Sequence, residues 1–109
     1  MPYQPRRPHT NSQLAEDEIA ALRAEARERK VSMSRIVDES VGAFFADEGF
    51  LAGGLVKRSF HGRPTRQVGF VLSPHVRELL RIAKRTHRFA HTDVIREAIS
   101  PVVRRRGGG

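Results

Sequence analysis

The sequence has no cysteine and no tryptophan among its 109 residues. Without thiols, neither a disulfide framework nor a thiolate metal site can form, and the redox state of its compartment is left open. A single Tyr and no aromatic residues along an outward strand face leave no platform for stacked bases, which weighs against RNA binding. No run of about 18 apolar residues occurs and the first residues lack the apolar core of a signal peptide, so the expected location is cytoplasmic, with no membrane contact. There is no glycine-rich phosphate loop and no nucleophile elbow. His87 and His91 lie four apart, but across a break between helices and without a third ligand at metal spacing, so no metal or cofactor is expected.

Acidic charge is scarce in one half only. Residues 1–56 hold seven Lys/Arg against nine Asp/Glu, whereas residues 57–109 hold thirteen against three, within a net charge of +8. A balance this basic points to a polyanionic partner, with the second half carrying the attraction; the plainer reading is a soluble basic surface. At this length there is room for one compact domain, and no enzyme is expected.

What the sequence does contain is concentrated in residues 66–99. Val68, Phe70 and Leu72 alternate with Gln67, Gly69 and Val71, the pattern of a strand with one buried face. Ser73 and Pro74 supply a helix cap and a first-turn proline. Val76, Leu79, Leu80 and Ala83 then share one helical face. After a break at His87 to His91, Thr92 is placed to cap a second helix striped with Val94, Ile95, Ala98 and Ile99, which Pro101 is expected to end. Some 35 residues cannot bury a core alone, since domains of roughly 60 are already marginal.

The missing partner lies upstream. Leu22 and Ala26 stand 57 positions before Leu79 and Ala83, and Ser34, Ile36, Val37, Glu39 and Val41 stand 58 before Thr92, Val94, Ile95, Glu97 and Ile99. The chain reads as internally duplicated. A first helix is expected over Glu16 to Arg29, with Ile19, Leu22 and Ala26 inward. Glu16, Asp17 and Glu18 are expected to be solvated at its positive end, with no acid–base role. A second helix, capped by Ser32 or Ser34, presents Ile36, Val37, Val41, Phe44 and Phe45 to Val94, Ile95 and Ile99.

Strand, helix, turn and helix, ending in SRIVDESV in the first copy and TDVIREAI in the second, resemble the ribbon-helix-helix family of DNA-binding proteins, to which Arc and MetJ belong. The resemblance covers roughly residues 9–47 and 64–101. It implies a mainly α fold with a two-stranded antiparallel β-ribbon, one strand from each unit, that enters the major groove of double-stranded DNA. Two units in one chain suggest an intramolecular pseudo-dimer, as in the TraY type. The resemblance also implies that the N-termini of the second helices clamp phosphates, which nominates Ser32, Ser34, His91 and Thr92.

The first strand, His9 to Leu14, admits two registers. With Thr10, Ser12 and Leu14 inward, the outward amides of Asn11 and Gln13 can make bidentate contacts to adenine; the alternative turns Asn11 and Gln13 inward, where they would lack partners. On the second strand Gln67, Gly69 and Val71 face out, with Arg66 and Arg63 at the strand entrance as phosphate contacts. The faces are unlike, so an asymmetric target site is expected.

The chain is thereby divided into an arm (1–8), a first unit (9–47), a linker (48–64), a second unit (65–101) and a basic, glycine-ended tail (102–109). Arg6 and Arg7 either follow a phosphate backbone or belong to a solubilising tail. In the linker, Phe50, Leu51, Leu55, Val56 and Phe60 either dock on the bundle or form a patch for further copies on DNA or for a protein partner. The expected function is sequence-specific DNA binding as a transcriptional repressor. Alternatives are an accessory role in conjugation or plasmid partition and, from another class, an antitoxin or adaptor whose first unit binds protein.

Overall fold

A computed structural model describes residues 9–47 and 60–106. Arg6, Arg7, Phe50, Leu51, Leu55, Val56 and the terminal glycines lie outside the described residues. The elements run in the order β1 (Thr10–Ala15), α1 (Glu16–Arg29), α2 (Met33–Ala46), β2 (Thr65–Phe70), α3 (Pro74–His87) and α4 (His91–Arg105). Helix predominates, and the only sheet among the described residues is the antiparallel pair β1–β2, with Thr10 opposite Phe70 and Ala15 opposite Thr65.

Period-two patterning sets the strand faces. Ser12, Leu14 and Phe70 are buried and Val68 half-buried, whereas Asn11, Gln13, Gln67 and Gly69 are exposed. The register with Asn11 and Gln13 outward is therefore the one adopted. Before β2 the chain turns through His61 and Gly62, both at positive φ, with the Arg63 N–H on the Phe60 carbonyl at 2.9 Å. Phe60 is half-buried, its ring centroid 4.0 Å from the Arg96 guanidinium carbon. Beneath the ribbon the core joins Leu14, Phe70 and Leu72 to Leu22, Leu80, Ile36, Val37, Val41, Val94, Ile95 and Ile99. Helices α2 and α4 cross at its centre, and Phe44 and Phe45 pack against it half-buried.

The helix pairs of the two strand–helix–helix units recur at one spacing. Caps Ala15 and Ser73, helix starts Glu16 and Pro74, left-handed residues Lys30 and Arg88, and caps Ser32 and Ala90 all stand 58 residues apart. The 57-residue match of Leu22 and Ala26 to Leu79 and Ala83 is thus one residue out of register. In the fold Leu22 corresponds to Leu80, and the positions that match buried Val76 and Ala83 are Glu18 and Glu25.

Two expectations are overturned here. Glu18 is not solvated: only 6% exposed, it accepts from Arg96 Nε at 3.0 and 3.1 Å and from the Ala15 N–H at 2.8 Å. A carboxylate can be buried here because a guanidinium, itself 2% exposed, and a backbone donor satisfy it. Only Glu16 and Asp17 stay at the surface.

Pro101, in turn, does not end its helix, which runs on to Arg105 and carries the second unit past 101 into the tail. Proline removes the N–H that would bond the Glu97 carbonyl, and the Ser100 hydroxyl donates to that carbonyl instead, at 2.8 Å. Continuing the helix buries Val102. Ser100→Ala should therefore cost about 1 kcal/mol in urea unfolding. In a Pro101→Ala background, where an amide N–H returns, the same change should cost clearly less.

Candidate nucleic-acid interface

The outer face of the ribbon is polar or bare. Gln13 lies directly opposite Gln67 and Asn11 directly opposite Gly69, and His9 is exposed just ahead of β1. One donor of Gln13 is committed within the ribbon, Nε2 to Thr65 Oγ1 at 2.7 Å. A Cβ at Gly69 would stand 3.1 Å from Asn11 Oδ1 and 3.3 Å from His9 Cβ. The missing side chain at 69 is what lets Asn11 and His9 lean across the neighbouring strand.

Val71 stands at the margin of this face, one residue past the end of β2. β2 ends at Phe70, and Val71 is half-buried with its N–H on Ser34 Oγ at 2.9 Å. Arg66 falls on the parity of Val68 and Phe70, and at the ribbon's edge it reaches Glu16 at 3.2 Å. Arg63 bonds Asp17 at 2.7 Å and the Phe60 carbonyl at 3.1 Å. Both arginines thus face the acidic first turn of α1, which offsets part of their charge.

The helix N-termini are joined to the ribbon. The Val71 N–H bond to Ser34 has a counterpart in the Gln13 N–H bond to Thr92 Oγ1 at 3.2 Å, and Gln13 with Thr92 stands in the same 58-residue relation to Val71 with Ser34. One helix start is tied to each end of the ribbon, about 13 Å apart along the strands. Hydroxyls at these positions serve as ribbon anchors. Ser32 caps α2 by accepting from the Arg35 N–H. Thr92 is not a cap: α4 starts at His91 behind Ala90, whose side chain accepts nothing from the first N–H groups of the helix.

Both helix starts carry charges of both signs. Beside α2, a cleft of about 370 Å³ lined by Ser32, Ser34, Arg35, Asp38, Glu39, Val71 and Ser73 contains two carboxylates. Asp38 accepts from the Ser73 N–H at 2.7 Å. Glu39 bonds Arg29 and Arg35, which hold its carboxyl below the usual range. At the α4 end Asp93 stands in the first turn and Lys84 lies near His91. Burial, and then the nearby Lys84 charge, push the His91 imidazole below the ordinary value of 6.5. The fold thus favours neutral His91, a contribution fully present above pH 6.5 and lost as pH falls from there through the folded value. An NMR titration should place the His91 midpoint below 6.5; a midpoint at or above it would contradict the burial argument.

The tail is only partly available as a phosphate contact. Arg106 bonds Glu25 at 2.9 Å and pairs with Glu28 at 2.5 Å, while Arg105 reaches Glu25 at 3.4 Å. Among the described residues, no three or more His, Asp or Glu gather as a metal-holding group, and no helix is long and apolar enough to cross a membrane. Compared with protein-family models, with curated proteins and with solved structures, the chain matches none.

Proposed function

We propose that the chain is a tandem ribbon-helix-helix protein, an intramolecular pseudo-dimer that binds double-stranded DNA by laying the outer face of its ribbon in the major groove. The observation that carries this reading is the exposed pair of strands, with His9, Asn11, Gln13, Gln67 and Gly69 outward, tied at each end to a helix N-terminus. A two-stranded ribbon fits the major groove, amides suit base edges, and free helix N–H groups suit phosphates. The net charge of +8 supplies the sequence-independent attraction.

Within this reading Asn11, Gln13 and Gln67 contact bases, and Gly69 permits close approach. The N-termini of α2 and α4, with Ser32, Ser34, His91 and Thr92, are the phosphate sites, and each has acidic side chains beside it, Asp38 and Glu39 at α2 and Asp93 at α4. The target is asymmetric, since position 11 carries an amide where position 69 carries nothing. Its physiological use is repression by occluding a promoter; the single-chain layout favours, as second reading, an accessory role at a transfer or partition site.

Selection from a random duplex pool, followed by titration of the winner and of scrambled DNA at two salt concentrations, tests the proposal. A short enriched motif without two-fold symmetry, bound more tightly than scrambled DNA at both salts, is the expected outcome. Salt-sensitive binding to every duplex alike would reject sequence recognition and leave the adaptor reading.

A further inference from the structure

We infer that buried charge makes the two strand–helix–helix units obligate unlike partners: the surface by which each unit pairs accepts the other unit and rejects its own kind. This goes beyond DNA binding and does not depend on it.

The contacts between units fall into two sets. The first is indifferent to identity. Ser34 and Thr92 occupy matching positions, and each accepts a ribbon N–H from the opposite unit, so a pair of first units or a pair of second units would keep these bonds.

The second set is not interchangeable. The N–H of each cap residue, Ala15 or Ser73, needs an acceptor. Ser73 is served by Asp38 of the first unit. The matching position in the second unit is Arg96, which cannot accept, and Ala15 is served by Glu18 of its own unit, with Arg96 clamped on that carboxylate. Where the first unit has Glu18, the second has Val76, 3% exposed.

Two first units would set Glu18 against Asp38 in a site where Glu18 is now 6% exposed, and buried carboxylates facing each other cannot both stay ionised. Two second units would set Arg96 against Val76, and a guanidinium cannot shed its charge to escape burial. The pattern repeats at the far end of α1. Glu25, 9% exposed, is held by Arg105 and Arg106, and its counterpart is Ala83. The counterpart of Arg105 is Asp47. Like pairing would bring Glu25 to Asp47, or Arg105 to Ala83. A pair of first units is thus penalised twice, at Glu18 and at Glu25, and a pair of second units at Arg96, and specificity here rests on repulsion and orphaned charge as much as on attraction.

The test uses the full chain with a protease site introduced among residues 48–59. It is cut after folding, unfolded in urea, refolded and examined by native mass spectrometry. Unlike pairs should exceed like pairs by about a hundredfold or more. A statistical mixture of like and unlike pairs would overturn the inference. The variant Glu18→Val/Arg96→Asp copies the Ser73–Asp38 arrangement onto Ala15, so that both units carry Val and Asp at the two positions. It should lower the excess by about tenfold or more. Arg105→Ala/Arg106→Ala, at the more exposed pair, should lower it as well and covers the case in which the buried variant does not fold. An excess unchanged in the folded variants would show that the charges do not select the partner.

Discussion

Replacing Asn11 and Gln13 together by alanine should reduce binding to the selected duplex by about 30-fold or more, while binding to scrambled DNA changes by less than about threefold. Each amide that pairs with a base edge contributes about 1–3 kcal/mol of discrimination. Neither residue carries charge, so the dependence on salt should stay as it was. The two residues should not contribute equally. Gln13 already spends a donor on Thr65 Oγ1, whereas Asn11 faces a glycine and extends over the open strand. Asn11→Ala alone should therefore cause the larger loss. Competition titrations with fluorescent duplexes measure both quantities; unchanged discrimination in the double variant would show that the ribbon does not read sequence and would return the first unit to a protein-binding role.

Glu18→Ala should be the most damaging single change to stability, at about 3–5 kcal/mol. It strands a guanidinium that is 2% exposed and removes the acceptor of the Ala15 N–H. Typical domains are stable by only about 5–15 kcal/mol, so much of the folded population is at stake. Glu18→Met with Arg96→Met should cost less than Glu18→Ala alone, because no charge is left buried. Urea unfolding of the three proteins decides. A loss below about 1 kcal/mol for Glu18→Ala would mean that the arginine swings out to water once released.

Much of this arrangement was legible before any coordinates. Ser73–Pro74 marks the start of α3 because a cap and a first-turn proline act locally. Strand parity followed from Leu14, Val68 and Phe70, since period-two burial depends only on neighbours in sequence. What escaped was determined by partners far along the chain. Glu18 reads as a surface helix-end acid until Arg96, 78 residues later, is placed against it. Thr92 reads as a cap, and only its bond from the Gln13 N–H shows it to be an anchor. Val71 continues the alternation on paper, yet β2 ends at Phe70, and only the placement of Ser34 shows where the Val71 N–H goes. The passage of α4 through Pro101 did leave a signal: Val102 extends the stripe of Val94, Ile95, Ala98 and Ile99, and Ser100 stands where a hydroxyl can reach the carbonyl that proline abandons. The candidate interface was read in the same measure, its ribbon face from local pattern and the charges around the helix ends only from the placement of Asp38, Glu39 and Lys84.

Both strands of the ribbon belong to one polypeptide, and Thr10 meets Phe70 across most of the chain's length. Bringing them together is thus a unimolecular event, indifferent to dilution, whereas a ribbon assembled from separate protomers melts away as their concentration falls. Its melting temperature should be the same at nanomolar and at millimolar protein. Such a ribbon forms with no assembly threshold to cross, however few copies of the chain are present.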